Sequence, residues 1–250
     1  MKLARISWFV PSIALLGVIA FLFWRHQQII GFYRTAMWGG TAEAKSAVAR
    51  LAGFRGEDAT ELLLRIASPR QRFLDNRQVL AVQLLAKRGR PEIAVRLADS
   101  LKPQAPYSLR MAVATSLAQI ECNEQCTQYV LHYLYRRFCG ELNAEEAFPE
   151  SDADARFQLK QDEDQLAATL NTSLLVNRRW TVVVLTEVYG LGSEYPSPFS
   201  LHVVESLKLR EACSALRDSS AKTFDVSLRG SIQSLVQKLE CPGAKFDPTL

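Results

Sequence analysis

From Ile6 to Trp24 the chain runs for nineteen residues without a charge, and from Trp8 onward it reads WFVPSIALLGVIAFLFW, with a tryptophan at each end. At about 1.5 Å of rise per residue, a helix of that length spans about 28 Å, close to the thickness of a bilayer's hydrocarbon core. Trp8 and Trp24 fall where amphipathic indole rings favour the two membrane interfaces, and Pro11 falls in the first turn, where its missing N–H costs little. A cleaved signal is the competing reading. A cut after Ala20, with Val18 two residues earlier, would leave Phe21-Leu22-Phe23-Trp24 behind it, as apolar as what precedes, and Ala42 and Ala44 lie too far downstream. Residues 1–24 are therefore expected to form a retained signal-anchor helix, followed by a juxtamembrane segment at 25–41.

Basic residues flank the run on both sides: Lys2 and Arg5 before it, Arg25 and Arg34 after it. The denser cluster, with the chain's amine, is N-terminal. By the positive-inside rule this places the N-terminus in the cytoplasm and the body on the extracytoplasmic, periplasmic-type side.

The body of about 225 residues is long enough to bury a core as one large domain or two small ones. The formal net charge of +4 is unevenly spread. Residues 25–100 hold thirteen Lys and Arg against seven Asp and Glu, whereas 101–170 hold six against eleven, giving a basic end and an acidic middle.

Three segments share a theme: AVARLA at 47–52, AVQLLA at 81–86 and VATSLA at 113–118, with LLLRIA at 62–67 and AVRLAD at 94–99 between them. Ala59, Leu62, Leu63 and Ile66 follow helical spacing, as do Leu80, Ala81, Leu84 and Leu85. Gly53, Gly56, Gly89, Pro91, Pro103 and Pro106 fall where turns are needed. Helical hairpins repeating every 32–34 residues are the expectation over 42–140. This pattern resembles HEAT-like repeats, with Pro91 opening an inner helix and Arg65 and Arg96 at equivalent second-helix positions. The resemblance covers about 42–139 and implies an all-α, right-handed α-solenoid whose curved face binds partners. It implies no chemistry of its own.

From 141 to 163 the texture turns acidic and poor in large apolar residues, which reads as a linker. A C-terminal helical region is expected over 164–250: Leu166, Leu170 and Leu174 form one stripe, Leu209, Ala212, Cys213 and Leu216 another, and Leu228, Ile232, Leu235, Val236 and Leu239 a third. RWTVVVLTEVYGLG at 179–192 is rich in β-branched residues, yet Trp180, Val184, Val188 and Leu191 satisfy helical spacing, so it is assigned to a helix. The YGLGSEYPSPF stretch that follows reads as an ordered loop.

Five cysteines leave at least one thiol outside any internal pairing. Cys122 lies just ahead of an expected helix start and Cys126 in its first turn, so a local disulfide between them is sterically possible; buried thiols are the alternative. A zinc site from Cys122, Cys126, His132 and Cys139 fails on geometry, since His132 and Cys139 stand about 10 Å apart on one helix, and His132 is read as a helix-packing residue. An EF-hand loop on Asp152, Asp154 and Glu163 would place Phe157 where glycine makes the turn. No nucleophile motif or phosphate-binding glycine loop is present, and no cofactor or small-molecule substrate is implied.

The strongest charge feature is the series Arg65, Arg70, Arg72, Arg77, Lys87, Arg88, Arg90 and Arg96, read as a basic interaction face. The leading expectation is a non-enzymatic, membrane-anchored helical scaffold for a protein partner at the cell envelope. The alternative is a cytoplasm-facing basic solenoid that binds nucleic acid or another polyanion, a partner out of reach of an exported body. An enzyme whose site assembles from distant residues is the third reading.

Overall fold

A computed structural model of the chain describes residues 9–71, 73, 76–102, 105–141 and 153–242, with side-chain burial from Leu15 onward outside 153–156 and 159. The described residues contain twelve α-helices and no strand. They fall into two compact units that divide between Arg88 and Gly89.

The first unit holds α1 (Phe9–Trp38), α2 (Thr41–Ala52), α3 (Glu57–Ala67) and α4 (Arg77–Ala86). Ala44, Ala47, Val48 and Leu51 recur at i, i+3, i+4 and i+7 along α2, and all four are buried. Ala59, Leu62, Leu63 and Ile66 do the same along α3. The small alanines of α2 let α1 pack closely along it. α3 also touches α1, and α4 covers α2 and α3. On α4 the buried face is Gln78, Ala81, Val82 and Leu85, so Leu80 and Leu84 of the expected stripe are only half-buried.

α1 departs from the expected division at Trp24. It continues without a break to Trp38, and the segment expected as juxtamembrane is its second half, in which Ile29 and Ala36 are 3% and 0% exposed. Phe32 packs on Phe54 with ring centroids 6.1 Å apart, and the Arg50 guanidinium lies 5.7 Å from the Phe32 centroid.

The second unit runs through α5 (Pro91–Ala98), α6 (Tyr107–Gln119), α7 (Glu124–Phe138), α8 (Ala153–Val176), α9 (Arg178–Glu187), α10 (Pro198–Ser206), α11 (Cys213–Lys222) and α12 (Val226–Lys238). Pro91 occupies the first turn of α5, where its missing N–H has no helical partner to lose. Asn123 caps α7 by accepting from the Cys126 N–H, and Asp225 caps α12 by accepting from the Ser227 and Leu228 N–H groups. α5 packs on α6 and α7, α6 on α8, and α7 on α8 and α9. The two helices of the second sequence repeat, α4 and α5, thus belong to different units.

Part of the acidic stretch expected as a linker is helix, since α8 begins at Ala153; residues 142–152, including Asp152, lie outside the described residues. The reason is pairing with distant helices. Glu163 and Asp164 face arginines of α6 and α7, while Leu166, Leu170 and Leu174 on the same helix are buried. The segment from 179 is helical, as α9, but Val188 lies just past its end and is exposed; Thr181, Val184 and Leu185 form the buried face. The loop after α9 turns on Gly190 (φ 69°) and Gly192 (φ 93°), conformations that a side chain would strain.

Candidate functional site

The first described half of α1 is apolar on every side. Leu15, Leu16, Val18, Ile19, Phe21, Leu22, Phe23 and Trp24 are each between 53% and 66% exposed, a density of bare apolar surface that water does not tolerate. α1 is the one helix among the described residues long and apolar enough to cross a membrane, Leu15–Trp38 having a mean hydropathy of 1.3 over its best window. Trp24 ends this exposed apolar run, and Arg25 and Gln28 after it are half-buried and Ile29 buried; Trp8 lies outside the described residues.

Of the eight basic residues expected to share one face, Arg77 and Arg88 turn inward. Arg77 is 8% exposed: its guanidinium donates to the carbonyls of Ala36 (2.7 Å), Met37 (3.2 Å) and Gly39 (3.4 Å) and stands 4.6 Å from the Phe73 ring centroid. It closes the end of α1, where carbonyls lack intrahelical donors. Arg88 is half-buried and does the same for α2, donating to the carbonyls of Ala52 (3.2 Å) and Phe54 (2.7 Å) and to Thr60 Oγ1. Two members of the expected interaction face are therefore internal caps. Arg65, Arg70, Lys87 and Arg96 are exposed, and Arg90 is half-buried 3.8 Å from Glu92. Arg90 and Arg96 belong to the second unit, and Arg72 lies outside the described residues.

Cys122 and Cys126 are joined by a disulfide with Cα atoms 5.4 Å apart. The cap geometry explains how so short a loop closes: Cys122 precedes the Asn123 cap and is free of helical geometry, while Cys126 is already in the first turn. A second bridge, Cys213 to Cys241 with Cα atoms 5.6 Å apart, ties the start of α11 to the third residue past the end of α12, a pairing not expected from the sequence. Cys139 is an exposed free thiol. His132 is exposed on α7 rather than packed between helices. Among the described residues no group of three or more His, Cys, Asp and Glu side chains could hold a metal ion.

The sequence reading also missed a polar cluster where α6, α7 and α8 meet. Glu163 accepts from Arg110 through one carboxylate oxygen and from the Tyr133 hydroxyl through the other, and Tyr107 donates to the Asp162 carbonyl at 3.2 Å. Burial, then the hydrogen bond to Glu163, pushes the Tyr133 phenol well above its ordinary range. Beyond it, Tyr135 packs at ring-centroid distances of 5.5 and 5.4 Å on Tyr189 and Phe199, and burial pushes the Tyr189 phenol up to about 12.

Two surfaces of the second unit are open. A cleft of about 750 Å³ separates α10 from α12, lined by Leu201, Leu228 and Leu235 with Ser227, Gly230, Ser231 and Ser234, and Lys238 bonds Glu205 (2.7 Å) across it. Near the turn into α12, Phe224 and Val226 are 78% and 80% exposed, and Tyr195 on the neighbouring loop 67%. These side chains stand on a fixed frame. Thr223 Oγ1 donates to the Glu194 carbonyl, Lys222 Nζ to the Gly192 carbonyl (2.9 Å) and Arg229 to the Thr223 carbonyl (2.6 Å).

Comparison with family models, with curated proteins and with solved structures finds no match to this chain.

Proposed function

We propose that this protein is a single-pass membrane-anchored helical scaffold that binds a protein partner at the cell envelope, with its body on the extracytoplasmic side. The observation that carries the reading is the two-part character of α1: its first described half is exposed and apolar all round, and its second half is built into the core of the first unit. Two disulfides favour an oxidising compartment and so favour export. A HEAT-like right-handed α-solenoid remains the architecture we propose for the body. Principal packing between helices adjacent or next-adjacent in chain order supports it, as each element of a stacked array touches only its neighbours.

The partner-binding surface in this reading is the rigid apolar tip formed by Tyr195, Phe224 and Val226. Exposed aromatic residues on a pre-ordered frame supply contact area at little entropic cost, the character of an interface anchor. Internal use of Arg77 and Arg88 removes two cations from the face on which polyanion binding rested.

Export is tested at Cys139, the exposed free thiol. A membrane-impermeant maleimide should label it in spheroplasts, and labelling only after the membrane is permeabilised would overturn the exported topology. Partner binding is tested by a photo-crosslinking residue placed at Phe224 in intact cells, with the exposed Ser214 on α11 as control. A discrete protein adduct is expected at 224 and not at 214; equal or absent adducts would overturn the assignment of the tip.

A further inference from the structure

The way α1 is built into the first unit fixes which edge of that unit meets the bilayer. α1 is one uninterrupted helix, so Trp38 lies about 21 Å along its axis from Trp24. The body meets the helix at once: a Cβ added at Gly56 would stand 3.2 Å from an Arg25 guanidinium nitrogen, which puts the α2–α3 turn beside the first helical turn after Trp24. The other connections agree. Arg77, the first residue of α4, bonds the far end of α1, whereas Arg88, just past the end of α4, bonds the carbonyls of Ala52 and Phe54 at the α2–α3 turn. The end of α2, the start of α3 and the end of α4 therefore share one edge, about 15 Å along α4 from the edge that carries Arg77.

Four cations occupy that near edge. Arg55 and Lys87 are exposed, and Arg25 and Arg88 are half-buried. Glu57 and Asp58 lie beside them in the first turn of α3, where the helix N-terminus favours carboxylates. The headgroup layer is about 5–7 Å deep on each side of the hydrocarbon core, so a turn lying beside Arg25 is inside it.

The geometry points to a lipid contact. Resting on the anchored reading above, the edge formed by Arg55 and Lys87, with the added charge of Arg25 and Arg88, binds the headgroups of anionic phospholipids and holds the first unit against the bilayer. Arg55 and Lys87 make the direct contacts, because the donors of Arg88 are turned onto backbone carbonyls.

The test uses the full chain with Cys139→Ser, carrying a single fluorophore at Asp58→Cys on the near edge or Thr41→Cys on the far edge. Each protein is placed in nanodiscs of phosphatidylcholine alone or mixed with phosphatidylglycerol, with a quencher attached to a fraction of the headgroups. Quenching at 58 should exceed that at 41 severalfold and rise further with phosphatidylglycerol. Arg55→Gln with Lys87→Gln should abolish that rise and leave the value in phosphatidylcholine unchanged. A chain that does not enter the discs overturns the anchored reading and the lipid contact with it. A chain that enters overturns the lipid contact alone if quenching at 58 does not exceed that at 41, ignores phosphatidylglycerol, or keeps its rise in the double variant.

Discussion

Replacing Arg77 with methionine should loosen the first unit by about 3 kcal/mol. Arg77 donates to three carbonyls at the end of α1, two of them at 2.7 and 3.2 Å and the third, at 3.4 Å, too long to count fully. A hydrogen bond from a charged donor contributes about 1.5–3 kcal/mol, so two good ones stand near 4 kcal/mol. Methionine fills much of the same volume and no longer keeps a charge from water, which offsets about 1 kcal/mol of that loss. At a urea slope of about 1.5 kcal/mol per molar, the unfolding midpoint should fall by about 2 M. The measurement suits the full chain in micelles, followed by urea unfolding and by peptide-resolved hydrogen exchange. Exchange should accelerate in 25–38 and 77–86 and stay unchanged in the second unit. Arg77→Lys should recover less than half the loss, because an ammonium cannot spread donors across three carbonyls. A midpoint within about 0.3 M of the parent, or equal acceleration in both units, would refute the capping argument.

Removing the Cys213–Cys241 bridge by paired serine substitution should cost about 3.6 kcal/mol in the chain-entropy model, against about 2 kcal/mol for Cys122–Cys126, since the sequence separations are 28 and 4; urea midpoints of the two double variants give the comparison. Glu163→Gln should weaken the second unit by about 1–3 kcal/mol, because Arg110 keeps a charge that has lost its counter-ion, and exchange in α8 peptides should report it. The folded pKa values of Tyr133 and Tyr189 are raised, so their contribution to stability is complete below the ordinary tyrosine value of 10.0 and is lost as pH climbs through the folded values. Alkaline unfolding of the second unit should accordingly move to higher pH in Tyr133→Phe and Tyr189→Phe, as read by phenolate absorbance and circular dichroism. Deleting 1–24 should leave a folded chain that a high-salt wash releases from the membrane, whereas deleting 1–40 should also unfold the first unit, because Ile29, Phe32 and Ala36 belong to its core; fractionation and exchange distinguish the two.

Much of the helical layout was legible because it rests on local rules. The spacing of Ala59, Leu62, Leu63 and Ile66 marks α3, and Gly53, Gly56, Gly89 and Pro91 mark breaks that the fold respects. The roles of the arginines were not legible. Charge counted along the chain cannot tell Arg77 and Arg88, which turn inward onto helix ends 41 and 36 residues earlier, from Arg65 and Arg70, which face water. The same blindness to long-range pairing hid Cys213–Cys241. Cys213 fits an apolar stripe as well as a leucine does, and its partner lies past a whole further helix. The acidic stretch misled for a related reason: Glu163 resembles a solvated linker residue until Arg110 and Tyr133 are placed around it. The end of the charge-free run suggested a boundary at Trp24, but α1 continues because the face after it packs on α2 and α3.

The dependence of α1 on Arg77 also sets an order of events during synthesis. Arg77 follows Ala36 by 41 residues, and a ribosome adding about 5–20 residues per second needs about 2–8 seconds to reach it. Throughout that interval the second half of α1 lacks its cap, and the helices that pack on it, α2 and α3, are added one after the other. In the anchored reading proposed above, the nearest apolar phase is the bilayer, and the first unit assembles from the membrane surface outward and closes only when α4 arrives. A nascent chain arrested so that α1 has cleared the ribosome but Arg77 has not should remain open to protease along 25–38, and one arrested far enough beyond Arg88 for α4 to clear the ribosome should be protected.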